Sequence, residues 1–178
     1  MNIVITILLI PVGIIVLLLI VALVIKKDHY VSREIIINAP AQKIFDYVKI
    51  LQNQEKFNKW AATDAEREKE LKGTDGTEGF IYAWRGNSKA GEGEKEIMKL
   101  VEGRRVETEI RFIKPMRTSA YVIMDLESLT DHQTKVFWSN GGSLKYPVNI
   151  MIPMMEKKLP QAMDESLAVL KSILENDA

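Results

Sequence analysis

The chain has 178 residues and a formal net charge of zero, 24 Lys+Arg against 24 Asp+Glu, with no cysteine. These totals exclude a large multidomain enzyme, a disulfide-stapled scaffold, a Cys-ligated zinc or iron–sulfur site and a strongly basic nucleic-acid binder. The charge is unevenly placed, because Asn2 to Ile25 has no charged side chain and every one lies from Lys26 onwards. The chain therefore divides into residues 1–27, an apolar segment with its flank, and residues 28–178, one domain of ordinary size.

Ile3 to Ile25 is built from Ile, Val, Leu and Ala, interrupted only by Thr6, Pro11 and Gly13. At about 1.5 Å per residue a helix of that length reaches roughly 34 Å, slightly more than the hydrocarbon core of a bilayer. A cleaved signal peptide would want a basic leader, a shorter apolar run and a small-x-small cleavage site, and none is present. The segment is expected to be a retained single-pass membrane anchor, kinked near Pro11. Lys26 and Lys27 flank its C-terminal side, which places the main domain in the cytoplasm by the positive-inside tendency.

Tyr30 to Ile37 reads as a first strand, stopped by Asn38-Ala39-Pro40. Ala41 to Leu51 carries Ile44, Phe45, Val48 and Leu51 at helical spacing, and a second short helical turn is predicted from Gln54 to Trp60. The charge run Asp64 to Lys72 has no settled period and is expected to be a solvated edge. Gly73, Gly76 and Gly79 mark turns. Phe80 to Trp84 places Phe80, Tyr82 and Trp84 on one face. Glu92 to Val101, Arg104 to Ile113, Thr118 to Leu129 and Thr134 to Leu144 follow as four strands joined by turn residues. Met151, Met155, Leu159, Met163, Leu167, Leu170 and Leu174 then recur every three or four residues, a long amphipathic helix in which Pro160 makes a kink or begins a separate helix. The fold class is α+β: a curved antiparallel sheet whose concave face the last helix covers.

Several strings in this order resemble the START-like or SRPBCC superfamily, in its polyketide cyclase/dehydrase and lipid-transport branch. They are Ser32-Arg33-Glu34-Ile35-Ile36-Ile37-Asn38-Ala39-Pro40 with Ile44-Phe45-Asp46-Tyr47-Val48 behind it, Phe57-Asn58-Lys59-Trp60, Tyr82-Ala83-Trp84-Arg85-Gly86-Asn87, Gly91-Glu92-Gly93, Phe112-Ile113-Lys114-Pro115 and Thr134-Lys135-Val136-Phe137-Trp138. The resemblance implies a helix-grip fold with an internal apolar cavity. It implies no particular reaction, because lipid carriers, hormone receptors, aromatic cyclases and chaperone activators share the shape.

The residues themselves narrow the chemistry. His29 and His132 are the only histidines and no metal-ligand spacing exists, so no metal and no cofactor are expected. Gly86 to Gly91 is one residue too long for a nucleophile elbow and precedes a strand. Glu92, Glu94 and Glu96 share a strand face, as do Glu107 and Glu109. The alternation of Val106, Thr108 and Ile110 puts that acidic face outside, paired with Lys95, Lys99 or Arg111. Tyr82, Trp84, Phe112 and Trp138 are expected to face the same interior as Met151, Met154, Met155 and Met163, where Tyr82, Tyr121 or a Trp N–H would orient a ligand. Ordinary core packing is the plainer reading of each ring. Together they suit a pocket for a hydrophobic small molecule or lipid drawn from the membrane, with no nucleic-acid partner. Two alternatives stand beside this binding function. One is a cyclase/dehydrase-like enzyme moving a proton through Glu94 or Tyr121. The other is a chaperone-activator-like interaction module with an exposed apolar patch.

Overall fold

A computed structural model describes residues 3–61, 64, 66–88 and 90–176, with the side chains of residues 3–8 left out. The first two residues of the anchor segment, Ala65 in the charge run and Lys89 in the Gly86–Gly91 string lie outside the described residues. The elements in chain order are α1 (Ile3–Val24), β1 (Asp28–Ile37), α2 (Ala41–Val48), α3 (Leu51–Phe57), β2 (Glu68–Lys72), β3 (Ile81–Arg85), β4 (Glu92–Val101), β5 (Arg105–Lys114), β6 (Thr118–Thr130), β7 (Gln133–Ser143) and α4 (Ile152–Asn176). A 3-10 turn, Val148–Met151, leads into α4.

The seven strands form one antiparallel sheet in the order β1-β7-β6-β5-β4-β3-β2. Strand alternation sorts the two faces. On β6, Ala120, Val122, Met124 and Leu126 are buried while Tyr121 is exposed. Register carries the same face across Thr108, Val136 and Ile35 on the neighbouring strands. Against this concave face α4 lays Met163, Leu167, Leu170 and Leu174, spaced to fall on one side of a helix. From α2, Ile44, Phe45 and Val48 close the same core. This is the α+β arrangement that the hydrophobic spacing predicts, and it matches the helix grip that the resemblance implies.

Local differences have identifiable causes. The helix predicted over Ala41–Leu51 ends at Val48, and a new one starts at Leu51. The Asp75 carboxylate makes that restart possible by accepting from the Leu51 N–H at 2.8 Å and the Gln52 N–H at 3.1 Å, a cap delivered from a distant turn. The undecided charge run contains β2, an edge strand whose residues are all exposed. No separate helix begins at Pro160: α4 runs on through it, with the ring buried.

Helix α1 has 22 residues and continues through Pro11. Over the residues whose side chains are described, which begin at Leu9, no helix is long and apolar enough to cross a membrane. From Leu9 to Val24 its side chains are apolar and nearly all exposed, with Ala22 the buried exception. Its C-terminal end is fastened to the domain. Asn149, fully buried in the 3-10 turn, donates from Nδ2 to the Ala22 carbonyl at 2.7 Å and the Ile25 carbonyl at 2.8 Å. The Leu144 N–H bonds the Lys27 carbonyl at 2.8 Å, and Lys26 pairs with Glu156 at 2.7 Å. A helix end leaves carbonyls without intrahelical partners, and Asn149 satisfies one of them together with a carbonyl just beyond. Asn149→Ala is expected to cost about 2 kcal/mol at this joint, for two lost bonds to covered carbonyls. The measurement is trypsin cleavage after Lys26 and Lys27, which should quicken roughly 30-fold through local opening. An unchanged rate would mean that the joint opens regardless of Asn149.

Candidate functional site

Two hollows lie beside the core among the described residues. The first, about 670 Å³, lies at the end of the sheet where the β5–β6 turn meets the segment after β7. Phe112, Ile113, Met116, Tyr121, Tyr146 and Val148 supply most of its apolar wall, with Arg117 and Lys145 adding two cations. Leu144 and Val148 place it at the foot of α1, because the backbone of Leu144 and the side chain of neighbouring Asn149 are bonded to the end of that helix.

The second hollow, about 60 Å³, sits between α3 and strands β3 and β4. The polar side chains of Gln54, Glu55, Asn58, Arg67, Tyr82 and Lys95 line it together with Leu51 and Ala61. Glu55 holds the group together. It accepts from the Tyr82 hydroxyl, from Arg67 at 2.6 Å and from Lys69 at 2.7 Å. Burial works to raise the Glu55 carboxyl, yet donation from Lys69, Tyr82 and Arg67 outweighs it and leaves the group below its usual range. The Tyr82 phenol is pushed up to about 12, chiefly by burial and also by its bond to the Glu55 carboxylate. Arg67 also lies 5.8 Å from the centroid of the Tyr82 ring.

Lys95 is the unusual member. It pairs with Tyr82 across β3 and β4, so it stands on the concave face with Phe80, Tyr82, Trp84 and Ile97. As a residue it is partly accessible, but its ammonium is sunk deeply enough that burial pulls it down to about 8. It donates to Gln54 Oε1, and Gln54 in turn donates to the Val48 carbonyl at 2.7 Å. Among the described residues it has no carboxylate partner. Below pH 8 a proton is held on this amine in both folded and unfolded chain, and the folded state bears the full cost. Between pH 8 and 10.5 the folded chain has released it while the unfolded chain keeps it, so that cost is relieved as pH rises. Lys95→Met should therefore be more stable than the parent at pH 7, with the difference shrinking towards pH 10. Denaturant titration at both pH values checks this, and a constant difference would mean that the amine carries no burial penalty.

The rings expected inside divide between places. Tyr82 lines the small hollow, and Trp84, two residues on, meets Phe112 edge-on at 6.1 Å. Gly93 makes this possible, because a Cβ there would stand 2.7 Å from the Trp84 ring. Phe112, 36% exposed, belongs to the large groove. Trp138 is buried in the main core, edge-on to Phe57 at 6.3 Å and to Trp60 at 6.4 Å, and its Nε1 has no partner among the described residues. Met163 shares that core, whereas Met151 and Met154 are exposed and Met155 is half-buried. Tyr121 is 59% exposed and lies on the opposite face from Val122, reaching the groove from outside.

The acidic strand faces are outside. Arg111 binds Glu94 and Glu96 at 2.6 Å each and Glu109 at 2.7 Å, which raises its already high pKa further. Of the cations expected to pair with them, Arg111 does so and Lys95 does not, since it has the opposite strand parity to Glu94 and Glu96. Glu94 and Tyr121, the groups on which proton transfer was to depend, thus stand apart from the concave face. Sequence reasoning passed over Lys95 as a site, although its alternation with three glutamates was a usable signal. For Glu55 and Arg67 no such signal existed, because their meeting depends on how α3 crosses the sheet.

No family model matches the chain, and no curated protein matches it. Solved structures do match in shape. Truncated norcoclaurine synthase from Thalictrum flavum aligns with a TM-score of 0.64 at 14% identity, covering 85% of this chain and 97% of that one. A hypothetical protein from Helicobacter pylori aligns at 0.62 and 11% identity, covering 83% and 89%. The Aha1 dimer from Colwellia psychrerythraea aligns at 0.54 and 18% identity, covering 83% and 96%. At these identities the likeness is one of fold alone, a sheet gripped by a long C-terminal helix.

Proposed function

We propose that the protein is a membrane-tethered binder of a hydrophobic small molecule or lipid, held by α1 with residues 28–178 on the cytoplasmic side. The observation that carries the reading is the groove of about 670 Å³ at the foot of α1, walled by Phe112, Ile113, Met116, Tyr146 and Val148. A hollow of this size and lining suits a small apolar ligand. Support for the tether comes from the sequence Ile3–Ile25 and from the apolar, exposed side chains that α1 presents from Leu9 onwards. A helix apolar all round is at home in a bilayer rather than in water. An anchor beside the groove would keep membrane-derived ligand at high local concentration, so weak affinity would suffice.

The test is purification of the full chain in mild detergent, with native mass spectrometry and extraction of whatever travels with it. A bound lipid or apolar molecule at about one per chain is expected, displaced in Met116→Asp and Tyr146→Asp. A chain that emerges empty and takes up no fluorescent fatty probe would end the reading. One observation favours an interaction module instead: Tyr30 and Tyr121 are 69% and 59% exposed on either side of Gly141 on the outer face. On that reading a Tyr30→Ser, Tyr121→Ser variant would lose a protein partner and keep its lipid.

A further inference from the structure

We infer that the small hollow between α3 and strands β3 and β4 is a carboxylate-binding site, with Lys95 and Arg67 as its cationic walls. The argument starts from a charge imbalance in a covered place. Among the described residues Glu55 is the one carboxylate lining the hollow, and Arg67 and Lys69 already share it. Lys95 is left with no counter-charge among the described residues. Its ammonium has three N–H bonds to give, and Gln54 takes one.

Arg67 supplies the second observation. Its side chain is 8% exposed, and it gives Nη1 to the Ala61 carbonyl at 3.3 Å and Nη2 to Glu55 and, at 3.4 Å, to the Tyr82 hydroxyl oxygen. Its Nε is buried with no partner among the described residues. A buried guanidinium N–H with nothing to bind is costly, and such a group commonly marks where something else docks. The hollow of about 60 Å³ exceeds the roughly 10–15 Å³ that a single water needs, which leaves room for a small polar group. The groups facing it are Glu55 from α3, Arg67 from the segment before β2, Tyr82 from β3 and Lys95 from β4. With Tyr82 holding its proton, the net charge is positive whenever Lys95 is protonated.

The carboxylate could belong to a small free acid or to the head of an amphiphile. Two residues along the strands from Lys95 and Tyr82, about 7 Å away, the concave face carries Gly93 and Trp84, and Gly93 pairs onward with Phe112 of the groove. A tail leaving the hollow in that direction would run over the Trp84 and Phe112 rings. The carboxylate site itself stands whether or not the groove holds a lipid.

The experiment reads Lys95 directly in the unaltered full chain in detergent micelles. Its reactivity towards an amine-acylating reagent is followed by mass spectrometry from pH 6 to 10, alone and with acetate or hexanoate. An anion beside the ammonium favours the charged form, so the midpoint should rise by about one unit or more at saturation. By the same linkage carboxylate binding should weaken as pH rises from the free to the bound midpoint, by about tenfold in total for each unit of that shift. Hexanoate acting at a tenfold lower concentration than acetate identifies an amphiphile head, and equal potency identifies a small free acid. A midpoint unmoved by both overturns the inference. Calorimetry on Lys95→Met gives a second reading: hexanoate affinity should fall at least tenfold, and an unchanged affinity would also overturn it. Neither outcome depends on displacement of lipid from the groove.

Discussion

Glu55→Leu will destabilise the protein by about 3 kcal/mol, because it removes the carboxylate that Arg67, Lys69 and Tyr82 all address. The cost arises less from the lost attraction than from what is left behind, a guanidinium 8% exposed with its counter-charge gone. A double variant, Glu55→Leu with Arg67→Met, should therefore recover most of the loss. Denaturant unfolding of the four chains measures the coupling, and additive single effects would show that the pair is not a unit. Acid adds a second signature. The Glu55 carboxyl sits below its usual range in the folded chain, so its contribution is complete above the unfolded value near 4.5 and is lost as pH falls through the lower, folded one. Glu55→Gln should flatten that part of the acid limb. An acid limb identical to the parent's would place the responsible carboxylate elsewhere.

Phe45→Ala is expected to cost about 3–5 kcal/mol. Phe45 is fully buried and reaches from α2 into the cluster that joins Val106 and Val122 of the sheet to Leu170 and Leu174 of α4. Removing its ring would leave a void where helix and sheet meet, and the neighbours that could collapse into it are held by strand register. Leu167→Ala in the same cluster should cost about 2–5 kcal/mol. The decisive measurement is the urea midpoint with an unchanged slope. A Phe45→Ala chain within about 1 kcal/mol of the parent would mean that the core relaxes freely, which would also favour a hollow able to open beneath α4.

Much of this architecture can be read from the residues because burial is periodic. Val106, Thr108 and Ile110 alternate with Glu107 and Glu109, and only one assignment of faces keeps the acids wet. The α4 stripe is equally plain, since Met163, Leu167, Leu170 and Leu174 can share one side only in a helix. β2 is different: with all five residues exposed, no side chain reports a face, and its pairing with β3 is decided by backbone hydrogen bonding. The break between α2 and α3 depends on Asp75, more than twenty residues away, a partner that no local pattern names.

The candidate site was legible only in part. Tyr82, Trp84 and Phe112 share a face as strand parity requires, but parity does not say which rings border a void and which fill the core, as Trp138 does. Tyr121 has the outer parity, alternating with Ala120 and Val122, and its role as an inner polar contact ran against that alternation. Lys95 shows the reverse. Grouped with the surface acids by charge, it is separated from them by the geometry of the strand, and a charge turned towards the interior is more informative than its sign alone.

The bonds from Asn149 to Ala22 and Ile25 give the first helix and the sheet a common frame. With these bonds, the Leu144–Lys27 backbone bond and the Lys26–Glu156 pair at one joint, a swing of α1 about its end has to break them, in the manner of a crank rather than a leash. The mouth of the groove sits at that crank's elbow, so whatever inclines α1 also bears on where the groove faces.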